Sequence, residues 1–294
     1  MEASDRDLPE GITARLVRED DLDAARSLSQ EAGWNQIAAD WRIFLELGRV
    51  FGLVREDGRL VATAATLPHG SDFGWISMVL VTASERRRGL ARWLLRRCMD
   101  DLIAGGRVPL LDATPAGRTV YVGLGFKDCW TMRRLVARSV RPLSQDKFYT
   151  DADVRPVEAQ NWSTIAALDQ DVFGADRTDL LHCLAARLPP AALVAVRGGR
   201  IAGYLFGRDG RTLSQLGPLV AEDEGIARSL LSHAITSVPT PLVVDLPDRH
   251  AALGKWLEML GFNAERPLTR MVHGRSSAFD DTARLFAIAG PELG

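Results

Sequence analysis

The chain has 294 residues, of which 46% are hydrophobic and 25% are charged, and its formal net charge is −2. This length suits two domains, and the composition is ordinary for a globular protein. The balanced charge argues against a dedicated nucleic-acid binder, which needs a strongly basic face. Because no apolar run reaches the length of a membrane span, we also expect no membrane partner.

Hydrophobic periodicity predicts alternating strands and helices in the first half of the chain. Between Leu22 and Ala32, for example, apolar residues recur close to helical spacing, which indicates a helix with one buried face. In chain order the predicted elements are a strand at 12–18, helices at 19–32 and 37–47, strands at 50–55, 60–67 and 73–82, a helix at 89–104, a strand at 109–113, a short helix around 121 and a strand at 129–136. The first half is therefore predicted to be one αβ unit.

The junction between the strand at 73–82 and the following helix carries the first motif. An apolar run ends at Thr82, and Arg86-Arg87-Arg88-Gly89-Leu90-Ala91 then opens an amphipathic helix. A glycine and small residues at such a turn let backbone N–H groups approach an anion, and the helix dipole favours negative charge there. The pattern indicates a phosphate-binding turn, although taken alone it also fits a solvated charged face with a turn glycine.

A second motif follows in the segment Tyr121-Val122-Gly123-Leu124-Gly125-Phe126. In this order and spacing the two motifs resemble the GNAT acetyltransferase superfamily, whose signature R/Q-x-x-G-x-G/A is followed by a tyrosine just before L-G-F. The resemblance implies an α/β fold with a mixed sheet and a site for acyl-CoA. Taken alone, Tyr121 also fits a half-buried packing residue of an amphipathic helix.

Comparison of the chain with itself predicts a tandem duplication. A shift of 136 residues places Gly89 on Gly225 and the segment Leu124-Gly125-Phe126 on Leu260-Gly261-Phe262. We therefore predict two tandem GNAT-like domains, with the first at 1–138, a linker at 139–151, a second domain at 152–274 and a tail at 275–294. The apolar part of the tail is able to dock as a short segment.

The second copy has lost the charges and the tyrosine of the first. The same shift replaces the three arginines by Glu222-Asp223-Glu224, Tyr121 by Leu257 and Thr114 by His250. Three carboxylates would each repel a pyrophosphate by about 1 kcal/mol at the dielectric of a protein surface. We expect acyl-CoA binding in the first copy only. The second copy is left to shape the substrate pocket, to hold the fold or to mediate a homodimer.

The resemblance also implies which residues bind acetyl-CoA, the expected co-substrate. The backbone of Val79, Leu80 and Val81 would pair with the pantetheine arm like an added strand. Thr114 occupies the position where many family members have asparagine, and its hydroxyl can still donate and accept a hydrogen bond. The pyrophosphate would contact the turn formed by Arg86, Arg87, Arg88, Gly89, Leu90 and Ala91.

For the reaction, the resemblance implies that Tyr121 protonates the departing thiolate as a general acid. The N–H of Val79 would stabilise the oxyanion. The strand before the turn lacks the glutamate that many members use as a base, and Asp112 is the nearest candidate, with a structural role, water or the substrate itself as alternatives. We find no nucleophile, so direct attack by an amine in a ternary complex is preferred over an acyl-enzyme.

The acceptor is expected to be a small-molecule amine. Trp34 and Asn35 lie in the loop where the family's substrate loop falls, although Trp34 fits a packing role equally well. The three cysteines are far apart and no metal spacing occurs, so we expect no metal and a cytoplasmic protein. The alternatives to an N-acetyltransferase are a non-catalytic acyl-CoA sensor and, last, a binder of anionic surfaces through the basic helix.

Overall fold

The computed structural model describes residues 7–142 and 151–294. All the elements predicted for the first half are present, with small shifts at their ends. They are β1 (Ile12–Leu16), α1 (Leu22–Glu31), α2 (Ala38–Leu47), β2 (Arg49–Arg55), β3 (Leu60–His69), β4 (Phe73–Val81), α3 (Leu90–Ala104), β5 (Val108–Ala113), α4 (Pro115–Val122) and β6 (Phe126–Ala137).

The second half repeats this order and adds one strand from the tail. Its elements are β7 (Asp153–Pro156), α5 (Trp162–Phe173), α6 (Thr178–Arg187), β8 (Leu193–Arg197), β9 (Arg200–Arg208), β10 (Ser214–Ala221), α7 (Glu224–Ser237), β11 (Leu242–Pro247), α8 (Ala251–Met259), β12 (Asn263–His273) and β13 (Leu285–Ala287). Of the predicted linker at 139–151, residues 143–150 lie outside the described residues, as do residues 1–6.

Both halves contribute to one continuous mixed sheet. The strand order is β1-β2-β3-β4-β5-β12-β6-β11-β10-β9-β8-β7, and β13 pairs with β10 beside this path. The pairs β4–β5 and β10–β11 are parallel, and the remaining pairs are antiparallel. Parallel pairing of β5 fits its nearly continuous apolar sequence, because such strands are covered on both faces.

The two halves exchange their last strands at the centre of the sheet. By sequence, β12 is the last strand of the second copy, yet it pairs with β5 of the first. In the same way β6, the last strand of the first copy, pairs with β11 of the second. The two exchanged strands pair with each other along ten positions. Each half therefore completes the sheet of the other.

The helices cover both faces of this sheet. Successive residues of β4 point to opposite faces, so Trp75 belongs to one core and Ile76 to another. The core on the Trp75 side contains residues of α1, α2, α5 and α6 and is continuous across both halves. The core around Ile76 is formed with α3, and a third core is formed with α7 and α8. No helix of the described residues is long and apolar enough to cross a membrane.

The strands β4 and β5 separate before they end. They pair only at Phe73–Trp75 with Val108–Leu110, although β4 continues to Val81. Beyond this point β4 contains an irregularity at Met78, whose φ is 52° and whose carbonyl accepts a hydrogen bond from Thr63 Oγ1 at 3.0 Å. A parallel pair that diverges leaves a cleft between its strands, and this cleft holds the site described next.

Candidate active site

A cavity of about 680 Å³ lies where β4 leads into α3. Its walls include the end of β4 at Val79, Leu80 and Val81 together with the first turn of α3 at Leu90 and Ala91. Glu31 fixes the connecting segment, because its carboxylate accepts hydrogen bonds from the N–H of Ala83 at 2.6 Å and from Thr82 Oγ1 at 2.8 Å. The structure thus brings the strand edge and the helix N-terminus predicted to bind acyl-CoA into one cavity.

Gly89 gives this cavity the features of an anion-binding turn. Its φ is +84°, a left-handed conformation that L side chains rarely adopt, and no atom lies within 4 Å of the place where a Cβ would stand. No side chain caps the N-terminus of α3, so the N–H groups of its first turn are left for a ligand. Arg87, two residues earlier, is also left-handed at φ 63°. Such alternation forms the backbone concavities that bind phosphates.

The three arginines of the turn have different environments. Arg86 and Arg87 line the cavity, and Arg86 Nε donates to the carbonyl of Val81 at 3.2 Å. Arg88 instead pairs with the buried carboxylate of Glu85, which also binds Arg55 at 2.6 Å. Its guanidinium therefore holds the turn in place, whereas the other two face the space where an anion would bind.

A second cavity of about 340 Å³ adjoins the first, and Trp34 and Val79 line both. Tyr121, Asp112, Thr114 and Asn35 line the second cavity as well. All the residues predicted from sequence for catalysis and substrate binding thus meet in one place, on the other side of Val79 from the anion-binding turn.

Tyr121 is partly buried in this second cavity. Burial raises the pKa of its hydroxyl, so the group keeps its proton at neutral pH. Gly117 makes room for the ring, because a Cβ at this position would lie 2.9 Å from Tyr121 Cε2 and 3.3 Å from its hydroxyl oxygen. Thr114 caps the same short helix, α4, by accepting a hydrogen bond from the N–H of Gly117 at 3.2 Å.

Asp112 is committed to an ion pair. Its two oxygens accept hydrogen bonds from Nε and Nη2 of Arg270 at 2.9 and 2.8 Å, and neither side chain is exposed to solvent. Arg270 also binds Asp280 and lies between the rings of Trp75 and Trp130, 4.5 and 4.4 Å from their centroids. With both oxygens occupied, the geometry favours the structural alternative for Asp112 over the hypothesis of a general base.

Asn35 docks its loop against the second half. Its Oδ1 accepts hydrogen bonds from the N–H groups of Thr212 and Leu213 at 2.9 and 3.1 Å, and its Nδ2 donates to the carbonyl of Leu213 at 2.8 Å. Trp34 is fixed by the same contact, since its carbonyl accepts from Arg211 Nε at 3.0 Å. Asn35 positions the loop, and Trp34 lines both cavities.

Several residues of the second cavity were assigned no role from the sequence, although Gln36 belongs to the predicted substrate loop. Gln36 and Ser77 are buried there, and Gln36 Oε1 and Ser77 Oγ have no hydrogen-bond partner. Arg266 reaches the same cavity from the exchanged strand β12, and Glu292 reaches it from the tail. Nothing in the sequence indicates these last two contributions, because they depend on the strand exchange and on the docking of the tail.

The corresponding turn of the second half is filled by its own carboxylates. Asp223 caps α7, because its Oδ1 accepts a hydrogen bond from the N–H of Ile226 at 3.0 Å. Arg197 binds both Glu222 and Asp223, at 2.5 and 2.7 Å. Gly225 lies inside the helix and has no left-handed conformation. A carboxylate therefore occupies the helix N-terminus that is open in the first half.

The tail fills the rest of the second half's cleft. Its strand β13 pairs antiparallel with β10 at Leu219 and Val220, and the N–H of Ile288 donates to the β11 carbonyl of Asp245 at 3.2 Å. His250, the counterpart of Thr114, stacks on Phe286 at 3.9 Å between ring centroids. In this half the chain itself occupies the space between the two diverging strands.

Two family models match the chain. The one described as the acetyltransferase (GNAT) family matches residues 15–125, and the one described as an acetyltransferase (GNAT) domain matches residues 165–287. Together they account for most of the chain, with one match in each half.

Similar proteins cover nearly the whole chain. An uncharacterized N-acetyltransferase of Bacillus subtilis (strain 168) is 22% identical over 279 residues, which are 95% of this chain and 97% of that protein. The crystal structure of a candidate acetyltransferase from Pyrococcus horikoshii has a TM-score of 0.79 at 19% identity and covers 97% of both chains. A tandem GNAT protein from the clavulanic acid biosynthesis pathway has a TM-score of 0.61 at 14% identity and covers 90% of this chain and 100% of that one. At these identities the two structures establish the shared fold.

Proposed function

Because the chain belongs to the GNAT superfamily, with two of its domains in tandem, we propose that it is an acetyl-CoA-dependent N-acetyltransferase acting on a small-molecule amine. One observation carries the proposal. In the first half, the open turn at Gly89 faces a cavity that adjoins a second one lined by Tyr121. Acetyl transfer from acetyl-CoA requires a site for the pyrophosphate and an acid for the leaving sulfur. The anion-binding turn and the protonated phenol of Tyr121, on the two sides of Val79, would supply them.

The donor would lie in the larger cavity. The N–H groups of the first turn of α3, with Arg86 and Arg87, would bind its pyrophosphate, since they combine open donors, the helix dipole and positive charge. The exposed edge of β4 from Val79 to Val81 would pair with its amide groups as an added strand does. When bound, acetyl-CoA supplies the acetyl thioester.

The acceptor amine would lie in the smaller cavity and attack directly. The Tyr121 hydroxyl would donate its proton to the leaving sulfur, a role that fits a phenol whose pKa is raised by burial. The N–H of Val79 would stabilise the negative charge that develops on the thioester oxygen. No covalent acyl-enzyme is needed in this scheme.

The proton of the amine has no obvious carboxylate to accept it. Of the three carboxylates that line the smaller cavity, Asp112 and Glu292 form close buried ion pairs with Arg270 and Arg208. The third, Glu265, is exposed and lies 3.7 Å from Arg138. We therefore assign this proton to water or to the substrate itself. The same observation favours the alternative function, a non-catalytic acyl-CoA sensor, so the test must measure transfer and not binding alone.

Replacement of Tyr121 by phenylalanine provides this test. With acetyl-CoA and an amine that is turned over, Tyr121→Phe should lower kcat by about 10²- to 10⁴-fold, because a general acid acts in the transition state. Calorimetry should show unchanged affinity for acetyl-CoA, since the ring and its packing against Gly117 remain. Release of free thiol reports turnover.

Two results would contradict the proposal. Wild-type turnover by Tyr121→Phe across pH would make Tyr121 a packing residue. Acetyl-CoA binding without thiol release in the presence of any amine would favour the sensor. Val122→Ala is a suitable control, because Val122 lies on the same helix, is exposed and lines neither cavity.

A further inference from the structure

The smaller cavity contains a positive charge that is not neutralised by an ion pair. Arg266 lines this cavity, and it forms no ion pair with any of the described residues. Its Nε is buried and has no hydrogen-bond partner. Arginine stays protonated in proteins and has five N–H donors to satisfy, so an unpaired one in a cavity is suited to an anionic ligand.

An arginine on the neighbouring strand β6 further destabilises the positive charge of Arg266. Arg266 lies directly opposite Arg134 in the β12–β6 pair, and like charges in that arrangement repel. Arg134 is neutralised by Asp245, which accepts its Nε and Nη2 at 2.8 and 2.7 Å. Arg266 forms no such ion pair with the described residues. Burial, followed by the charge of Arg134, lowers its pKa, and the more weakly acting charges of Asp245, Glu292 and Glu265 offset only part of this effect.

Two uncharged groups in the same cavity also lack partners. Gln36 and Ser77 are each only 8% exposed, yet Gln36 Oε1 and Ser77 Oγ form no hydrogen bond with the described residues. The orientation of Gln36 is fixed, since its Nε2 donates to Glu292 Oε1 at 2.6 Å. Its free atom is therefore an acceptor, and it requires an N–H group from a ligand.

A small molecule that carries both an N–H group and an anionic group would satisfy Arg266, Gln36 and Ser77 together. We propose that the acceptor is an amine that bears a carboxylate, as free amino acids do, with Arg266 binding the carboxylate and Gln36 and Ser77 contacting the amine. The cavity of about 340 Å³ is large enough for a molecule of this size. This inference rests on the proposed function, because it names the acceptor of the same site.

Matched pairs of ligands test the inference. Each pair consists of a common L-amino acid and the amine left when its carboxylate is removed, for example phenylalanine with phenethylamine and leucine with isoamylamine. Trp34 lines both cavities, so tryptophan fluorescence in the presence of CoA reports binding, and thiol release reports kcat/KM. For at least one pair we expect the amino acid to bind about 10- to 100-fold more tightly, which is the range for a charge-assisted hydrogen bond.

Variants of Arg266 then show whether this residue is responsible. Arg266→Gln should weaken binding of the amino acid but not of the amine, so that the ratio of their two affinities falls close to one. Arg266→Lys should keep part of the preference for the amino acid. Arg42→Gln is the matched control, since Arg42 is exposed and pairs with Glu19 at 2.9 Å away from the cavity. Thermal unfolding of each variant verifies that it is folded.

The outcomes separate this inference from the proposed function. The inference would be overturned if both members of every pair bind equally, or if no member of any pair binds. It would also be overturned if Arg266→Gln leaves the ratio of affinities unchanged. These conclusions hold even if acetyl-CoA binds and other amines are acetylated. Failure of acetyl-CoA to bind in calorimetry would instead overturn the proposed function. In that case the fluorescence titrations still decide whether Arg266 recognises a carboxylate.

Discussion

At the scale of single residues, the candidate site shows how far sequence reasoning reaches. Gly89 was recognised from a strand-to-helix turn, and it lines the larger cavity. Tyr121 was recognised from its position just before L-G-F, and it lines the smaller cavity. Asp112, the candidate base, also lines the smaller cavity, but its ion-pair partner Arg270 lies 158 positions later in the chain. A long-range ion pair leaves no local trace, so the sequence could not distinguish a structural carboxylate from a base.

His69 gives a residue-scale prediction about stability. The segment Pro68-His69-Gly70 is typical of a turn, but the side chain of His69 is buried among Phe73, Trp75 and Phe173, with 4.9 Å between its ring centroid and that of Phe173. Burial lowers the pKa of His69 to about 3, and the positive charge of Arg177 adds to this effect. In the folded chain this histidine therefore stays neutral over most of the acidic range.

The free energy of unfolding should therefore decrease as the pH falls below about 6.5. The unfolded chain binds a proton at His69 near pH 6.5 and the folded chain does not, so the loss reaches about 2 kcal/mol at pH 5. It continues until the folded pKa, near 3, is passed. Urea unfolding between pH 7 and 5 should show a weaker pH dependence for His69→Gln than for the wild type. Parallel curves for the two proteins would show that His69 does not titrate on unfolding.

At the scale of secondary-structure elements, the contrast between α3 and α7 explains why one half has an open site. The two helices are equivalent in sequence, yet α3 begins after an uncapped left-handed glycine and α7 begins with a capping aspartate. The helix positions and the charge reversal could be predicted from the sequence. The docking of β13 into the second cleft could not, because a short apolar tail segment fits many surfaces equally well.

This contrast predicts different effects for the same substitution in the two helices. Gly89→Val should remove acetyl-CoA binding from the range of calorimetry, because a side chain would enter the open space of the turn and would be strained at φ +84°. Gly225→Val should leave the affinity unchanged, since that turn already holds Asp223. Thermal unfolding must show that both variants are folded. Wild-type affinity in Gly89→Val would mean that Gly89 is not part of the binding site.

At the scale of the whole molecule, the strand exchange joins the two halves into one functional unit. The second half supplies Arg266 to the cavity of the first through β12, and the tail supplies Glu292. The sequence predicted the duplication and the mixed sheet. The sequence could not predict the strand exchange. Because β6 and β12 are equivalent strands, each would bury the same face whether it paired within its own half or with the other half.

The same arrangement gives the divergent second half a role that follows from its contacts. Asn35 and the loop at 210–213 are joined by hydrogen bonds, and the buried guanidinium of Arg208 in β9 binds both Asp40 and Glu292. Of the three roles left open by the sequence, these contacts favour shaping the pocket and holding the fold. A second acyl-CoA site is not needed for either.

The central claim is that the first half alone binds and uses acetyl-CoA. Titration calorimetry with the full-length wild-type chain tests it most directly, with the protein concentration determined independently. The account predicts a stoichiometry of one acetyl-CoA per chain, because Asp223 and β13 fill the second cleft. Two sites per chain, or one site that survives Gly89→Val and is lost in Gly225→Val, would contradict it.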